Sequence, residues 1–304
     1  SIVDVADPVP DRPGVWRIGL GELGTRQIEI FVIDSASSDS SVDMVRQEFP
    51  DVRLYASETN LGYAGGNNLG IRESQGQHVL LLNPDTRVTD KALSTMLAFL
   101  ETHPRVGALG PQLRYADGTL QSSRRRFPTL RTALVESSFL QKWFPNHRTL
   151  RRYYVLDRPD DEISRVDWVN GACLFVRRSV IEQIGLLDEA YFMYSEELDW
   201  QKRIRTAGWE IVYLPTACVI HYEGKSSEQV RALTHIRFGR SKIRYFHKHH
   251  GRWAGLVVRG WLLLNYVYEW LMEALKWAVG HKRDLRRDRM RTYCQVLRSK
   301  LRVE

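Results

Sequence analysis

The apolar run Val79-Leu80-Leu81-Leu82 ends abruptly in Asn83-Pro84-Asp85. A hydrophobic strand of this kind is buried on both faces, and Pro84 stops it because it has no N–H to donate to a neighbour. Asp85 then stands on a stiff support at the carboxyl end of a sheet, where open α/β sheets place their ligands. A hard carboxylate oxygen there suits Mg²⁺ or Mn²⁺ carrying a diphosphate. Three more groups follow the same logic. Asp34 ends the run Ile28–Ile33, Glu196-Glu197-Leu198-Asp199 opens a helical stretch, and His221 ends a late strand. A carboxylate of such a pair can serve as general base, and a strand-end histidine can ligate a metal. Each also has a plainer reading. Acidic residues favour a helix N-terminus, Asp199 has Arg203 at i+4, Asp34 fits a solvated turn, and His221 can make a structural hydrogen bond.

The elements that must position these residues alternate in type. After the Ile28–Ile33 strand, Val42–Phe49 has helical spacing and Val52–Tyr55 is a second short strand. The glycine-rich turn Asn60–Asn68 opens a helix through about Glu73, the Val79 strand leads to a helix near Lys91–Glu101, and Val106–Leu109 is again a strand. This βαβα order predicts a Rossmann-like, mainly parallel sheet. Further on come a hairpin near Tyr115–Thr119, a basic segment Arg124–Arg126 and a strand at Ala172–Val176. A helix capped by Ser195 runs through Ala207, and a strand pair, Ile211–Leu214 and Ala217–Ile220, delivers His221. Residues 1–27, with Pro8, Pro10 and Pro13, read as an irregular arm, residues 28–225 as the α/β domain and residues 226–304 as a helical appendage.

Composition fits a globular protein: 304 residues, 43% hydrophobic and 26% charged. Three dispersed cysteines (Cys173, Cys218, Cys294) make neither a disulfide framework nor a zinc site, and no signal-peptide pattern opens the sequence. A reducing, cytoplasmic setting is expected. The net charge of +8 is uneven, because residues 225–304 hold 19 Lys/Arg against 6 Asp/Glu. Within that basic region Trp253–Val279 has only Arg259, Glu269, Glu273 and Lys276 as charges. Its longest uncharged run, Gly260–Tyr268, falls far short of the ~20 residues that span a bilayer. The stretch reads as an interfacial helix on an anionic membrane or as a helix packed on the protein body or on a second subunit, making a homo-oligomer. Its Trp and Tyr residues could stack bases, but no recognition motif accompanies them, and nucleic acid is not an expected partner.

Five ordered segments resemble the inverting family 2 glycosyltransferases of the GT-A fold, in their rhamnosyltransferase-like branch. They are Val32-Ile33-Asp34-Ser35-Ala36-Ser37-Ser38-Asp39, then Asn60-Leu61-Gly62-Tyr63-Ala64-Gly65-Gly66-Asn67-Asn68, then Leu82-Asn83-Pro84-Asp85. Gly171-Ala172-Cys173 with Phe192–Trp200 is the fourth, and His221 the fifth. The resemblance implies a GT-A fold with a C-terminal helical appendage, and transfer of a sugar from a dTDP-, UDP- or GDP-linked donor to a glycan or lipid-linked acceptor. Such chemistry serves cell-wall or polysaccharide biosynthesis, peripherally on the cytoplasmic face of a membrane.

By the same resemblance Glu197, with Glu196 as alternative, is the catalytic base, and Asp85 and His221 hold Mn²⁺ or Mg²⁺. Asp34, Ser35, Asp39, Asn60, Gly65, Gly66, Asn67, Asn83 and Asp85 face the nucleotide-sugar, while Trp168, Gly171 and Asp199 face the acceptor. The chain departs from its relatives at Asn83, Ser35 and Glu197, where they often carry an acid, Asn and Asp. Residues 1–27 also lack the strand and polar turn that relatives place before Ile28. That departure keeps a second reading open, a catalytically inactive sugar-nucleotide-binding or scaffold protein.

Overall fold

The structure, a computed structural model, describes residues 6–9, 12, 14–222 and 231–303. Pro10, Pro13 and the boundary expected at 225/226 lie outside the described residues. The chain forms two compact units. The first comprises Ser1–Arg126, Arg158–Phe192 and Glu196–Glu223; the second comprises Phe127–Asp157, Met193–Ser195 and Gly224–Glu304.

In the first unit, β1 (Asp7–Pro8), β2 (Val15–Gly19) and β3 (Thr25–Glu29) make an antiparallel sheet where an irregular arm was expected. Alternation explains it: Trp16, Ile18 and Leu20 are buried while Arg17 and Gly19 are exposed. The run Ile28–Ile33 is divided. Its first part belongs to β3, and after Ile30 the chain enters β4 (Phe31–Ser35), which pairs in parallel with β5 (Arg53–Ser57) across α1 (Ser41–Glu48). These two strands form a sheet of their own.

Next come α2 (Gly62–Glu73), β6 (His78–Leu82), β7 (Thr86–Val88), α3 (Ala92–Thr102), β8 (Val106–Arg114), β9 (Leu120–Gln121) and β10 (Arg124–Arg125). After the second unit's α4 (Leu130–Val135), α5 (Phe139–Trp143) and α6 (Arg148–Tyr153), the first resumes with β11 (Ser164–Val166), β12 (Trp168–Val169) and β13 (Cys173–Arg177). It closes with α7 (Arg178–Ile184), α8 (Glu196–Thr206) and β14 (Glu210–His221).

The main sheet has seven strands in the path β11-β14-β8-β13-β6, with β7 on β14 and β9 on β8. It is mixed, which corrects the expectation of a mainly parallel sheet. β13 lies antiparallel to both β6 and β8, whereas β14 runs parallel to β8. β6 and β8, joined through α3, run in the same direction, but β13, which arrives later in the chain, sits between them and is antiparallel to both. Its placement has a chemical result. The end of β6 that leads to Asn83 and Asp85 lies beside the start of β13, Cys173 opposite Leu82.

Strand side chains alternate between two cores. Leu80, Leu82, Phe175 and Leu214 join Leu93, Met96 and Leu100 of α3, while Val79, Leu81, Leu174 and Tyr213 join Ile71 of α2, Val180 of α7 and Trp200 of α8. Burial on both faces is why β6 reads as an unbroken apolar run. The opposite edge of β6 pairs with no described strand; a cavity of about 310 Å³ lined by Ile28, Ile30, Val79, Leu80, Leu97 and Phe175 lies beside it.

The second unit is helical, built on α9 (Arg231–His250), α10 (Arg252–Ala278) and α11 (Arg283–Ser299), which pack against one another. At Gly255 a Cβ would fall 1.5 Å from His247 Cδ2, so α10 approaches α9 as closely as a glycine permits. Among the described residues no helix is long and apolar enough to cross a membrane.

Candidate active site

Strand pairing brings Asp85 and His221 together. His221 of β14 lies opposite Thr86 of β7, and the Tyr222 N–H donates to the Asp85 carbonyl at 2.8 Å. The Asp85 loop is further held by the Thr86 hydroxyl, which donates to the Asn83 carbonyl at 2.6 Å. His221 Nε2 stands 3.3 Å from Asp85 Oδ1, and its Nδ1 is 3.0 Å from Gln121 Oε1. With the Nδ1 proton given to Gln121, Nε2 presents a lone pair to a carboxylate, an arrangement completed by a proton or a cation. The paired oxygen and nitrogen donors suit a divalent ion of the Mn²⁺ type. Among the described residues no third His, Cys, Asp or Glu completes a metal-holding group, so a cation here would take its remaining ligands from substrate or water.

The carboxylate pair is tied to this edge through β13. The Asn83 N–H donates to the Ala172 carbonyl at 2.9 Å. Next to Ala172, Gly171 is closed in: a Cβ on it would lie 3.0 Å from the Tyr63 hydroxyl and 3.2 Å from Glu197 Cγ. Tyr63 donates its hydroxyl to the Gly171 carbonyl at 2.7 Å. Glu196 is buried, Glu197 half-buried, and the Oε2 atoms of both are enclosed without a hydrogen-bond partner. Burial, and then the charge of Glu197, pushes the Glu196 carboxyl well above the usual carboxylate range. Burial also raises Glu197, opposed by the backbone N–H groups of Glu197 and Leu198 and by the charge of Arg125. The turn before them is strained, with φ of 73° at Tyr194 and 66° at Ser195. Ser195 therefore lacks the extended conformation of a capping residue that the sequence suggested.

The other residues singled out in the sequence divide by partner. Asp34 accepts from the Ser37 N–H at 3.1 Å, and Ser35 Oγ accepts from the Leu61 N–H at 2.8 Å, which fixes the end of β4 to the start of α2. Asp39 accepts from the Ser41 N–H and hydroxyl, bonds that hold its pKa below the ordinary value, and so shapes the turn into α1. Asn60 Oδ1 receives the Gly62 N–H, and Asn67 donates back to the Tyr63 carbonyl. Gly66 makes ordinary contact with Ile33, while a Cβ on Gly65 would sit 3.3 Å from Leu61 Cβ. The glycine that this turn cannot replace is Gly62, with φ of +66° and only 2.3 Å between a built Cβ and the Phe192 carbonyl oxygen.

Trp168 donates its indole N–H to the Arg126 carbonyl at 3.1 Å, and the Arg125 guanidinium lies 6.0 Å from its ring. Asp199 is fully buried and bound by Arg203 Nε at 3.0 Å, while the rest of that guanidinium clasps the carbonyls of Ile184 and Leu186. Arg124 is likewise occupied, by the carbonyls of Arg158 and Pro159, the carboxylate of Asp160 and the face of Tyr213.

Three participants went unmarked in the sequence. Tyr63 supports Gly171, and Gln121 orients His221. The buried Asn68 holds Leu187 through both its N–H and its carbonyl. Tyr63 and Asn68 lie inside the glycine-rich segment and could have been sought there. Nothing in the sequence marks Gln121, whose role depends on β9 pairing with β8.

Residues 22–185 match the family described as Glycosyl transferase family 2. The N-acetylglucosaminyl-diphospho-decaprenol L-rhamnosyltransferase of Mycobacterium tuberculosis is 33% identical over 213 residues, 66% of this chain and 69% of the relative. The low-salt glycan biosynthesis hexosyltransferase Agl10 of Haloferax volcanii is 26% identical over 265 residues, 83% of this chain and 80% of the relative. Among solved structures, GalNAc-T7 with UDP, GalNAc and Mn²⁺ aligns with a TM-score of 0.48 and 15% identity, over 64% of this chain and 37% of that one. A likeness that loose carries no argument about the site. The family match and the rhamnosyltransferase relative agree with the ordered motifs and with the mixed α/β, GT-A-like body, and the chain belongs to the family 2 glycosyltransferases.

Proposed function

We propose that this glycosyltransferase moves rhamnose from a nucleotide-diphosphate donor to a lipid-linked glycan acceptor, with inversion, in cell-wall or polysaccharide synthesis at the cytoplasmic face of a membrane. The name of the mycobacterial relative supports both the sugar and the lipid carrier. The observation that carries the reading is Glu197 beside Gly171 with its neighbour Glu196, each keeping an enclosed Oε2 without a hydrogen-bond partner, and the link from Gly171 through Ala172 and Asn83 to the Asp85–His221 pair.

Glu197 accepts the proton of the acceptor hydroxyl. The freed oxygen bonds to the anomeric carbon opposite the diphosphate, and the bond to the diphosphate oxygen breaks with its electron pair. Burial raises both carboxyls, and the charge of Glu197 raises Glu196 further, which favours one shared negative charge on the pair over two. Asp85 and His221 would hold a divalent ion, Mn²⁺ ahead of Mg²⁺, which would offset the charge developing on the leaving diphosphate. Asp34 and Asn83 bind the nucleotide part of the donor. Ser35, Asp39 and Asn60 shape the two turns that border it, and Gly65, Gly66 and Asn67 lie in the first turns of α2. Trp168 and Gly171 border the acceptor, and Asp199 holds α8 in place through Arg203.

The test is a transfer assay with dTDP-, UDP- and GDP-sugars, each with Mn²⁺ or EDTA, on a water-soluble short-chain GlcNAc-diphosphate acceptor. Wild-type turnover with one donor class, lost in Glu197→Gln while donor affinity holds, supports the reading. The separation of the β4–β5 pair from the main sheet favours the rival, an inactive sugar-nucleotide-binding protein. Donor binding without turnover in wild type, under every condition, would establish that rival.

A further inference from the structure

A soluble helix normally turns its apolar stripe inward and its polar face to water; α10 buries Val258 and Leu262 in this way but carries a second apolar stripe on its outward side. Its inward face carries Asn265, which accepts the Phe139 N–H at 2.9 Å, and Glu273, which is 2% exposed and bound by Arg286 at 2.8 Å. Its outward face carries Trp253, Leu256, Val257, Leu264, Val267, Leu271 and Leu275, each at least 41% exposed, with Trp253 at 81%. Their spacing of three, four and seven residues draws one stripe ~33 Å long. The four charges within α10 beyond its first residue are Arg259, Glu269, Glu273 and Lys276, and none falls on that stripe. No described residue covers it, and the helix is not apolar enough to span a bilayer. Cations outnumber acids at both ends of the stripe: Arg252 is exposed at its start, and beyond its end Lys282, Arg283, Arg287 and Arg291 are exposed against Asp284 and Asp288, with Arg291 3.7 Å from Asp288 and Arg283 5.7 Å from the Trp277 ring.

We propose that this face of α10 is the surface by which the protein lies on an anionic bilayer, in the plane of the interface. The apolar stripe enters the headgroup boundary, the tryptophans at its two ends sit at headgroup level, and the flanking Arg and Lys side chains meet lipid phosphates. Charge decides between this occupant and a second copy of the chain. A copy would bring the same excess of Arg and Lys against these cations, whereas an anionic surface is their complement. The inference builds on the lipid-linked acceptor reading, but it is measured separately.

Full-length protein is co-sedimented with vesicles of phosphatidylcholine alone and with ~30% phosphatidylglycerol added, in low and high salt. Wild type is expected to bind the anionic vesicles, and Leu264→Glu/Leu271→Glu to lose about tenfold or more of that partitioning. Both sites are exposed, so circular dichroism should be unchanged; Leu264→Gln/Leu271→Gln serves if the charged pair misfolds. Turnover on the water-soluble acceptor should persist in both variants. Its absence in wild type as well would count against the enzymatic reading alone. Undiminished vesicle binding by the variants would overturn the proposal. So would a wild-type dimer in light scattering that ignores vesicles and becomes monomeric in the variant, since the stripe would then be a contact between copies.

Discussion

Two strands lead to aspartates of the proposed site, β4 to Asp34 and β6 to Asp85, and they are held very differently. β6 is paired residue by residue with β13, its side chains fill two cores, and the loop beyond it is tied by Asn83 to Ala172, by Asp85 to Tyr222 and internally by the Thr86 hydroxyl to the Asn83 carbonyl. Among the described strands β4 pairs with β5 alone; it is half-buried along its whole length and ends in a turn held by single hydrogen bonds at Asp34 and Ser35. On the proposed function, the step that tolerates little displacement falls to the firmly paired side and recognition of a larger ligand group to the other.

That contrast can be strained at several points. The largest effect is expected at Glu197, which packs against the firmly paired side: Glu197→Gln should cut turnover about 10²–10⁴-fold with donor affinity unchanged, read by initial rates and calorimetry. Asp85→Asn should lower kcat/KM about 10²-fold and weaken the dependence on added Mn²⁺. Asp34→Asn should instead raise the donor KM about tenfold and leave kcat nearly unchanged. Equal effects of the two Asp→Asn changes on kcat would erase the distinction between the strands.

Smaller effects concern protons. Glu197 must be ionised to act as base, so activity should fall as pH drops through its raised pKa. Arg125→Gln removes a charge that holds this pKa down and should move the acid limb of the kcat profile to higher pH. Glu196 has a folded-state pKa above its unfolded value, so the folded state binds the extra proton. Stability is therefore greatest below the unfolded pKa and is lost as pH rises through the folded one. Glu196→Gln should then raise Tm by about 2–4 °C at pH 8 and not at pH 4, measured by calorimetry. The smallest effect is expected from Ser35→Ala, about 1 kcal/mol from the lost Leu61 contact, with the β4–β5 amides already exchanging faster than those of β6.

Much of this was legible in the sequence where the signal is local. The apolar run of β6, the helix from Gly62 to Glu73 and the hairpin joining β8 to β9 all follow from short-range pattern and turn residues. What stayed hidden depends on partners distant in the chain. Ile28–Ile33 looks like one strand because nothing local marks Ile30 as the passage between two sheets. Ile211–Ile220 looked like two strands, since Pro215 interrupts the pattern, yet β14 continues through it with a shift of register. The insertion of β13 between β6 and β8 cannot be read from either neighbour. For the candidate site, the residue types at strand and helix ends were visible, but their proximity comes from distant pairings: β7 with β14 joins Asp85 to His221, and β13 beside β6 brings in Gly171 and, against it, Glu197. The commitment of Asp199 and Arg124 to structural contacts also needed the folded chain.

Gly62 carries a consequence for any attempt to diversify the protein. Backbone sign and the nearby Phe192 carbonyl both close that position to every side chain, whereas Gly66 a turn later has ordinary clearance from Ile33. In a saturation library selected for function, position 62 should return a single letter and position 66 should admit alanine. The glycine-rich signature would then resolve into one obligatory glycine and its permissive neighbours.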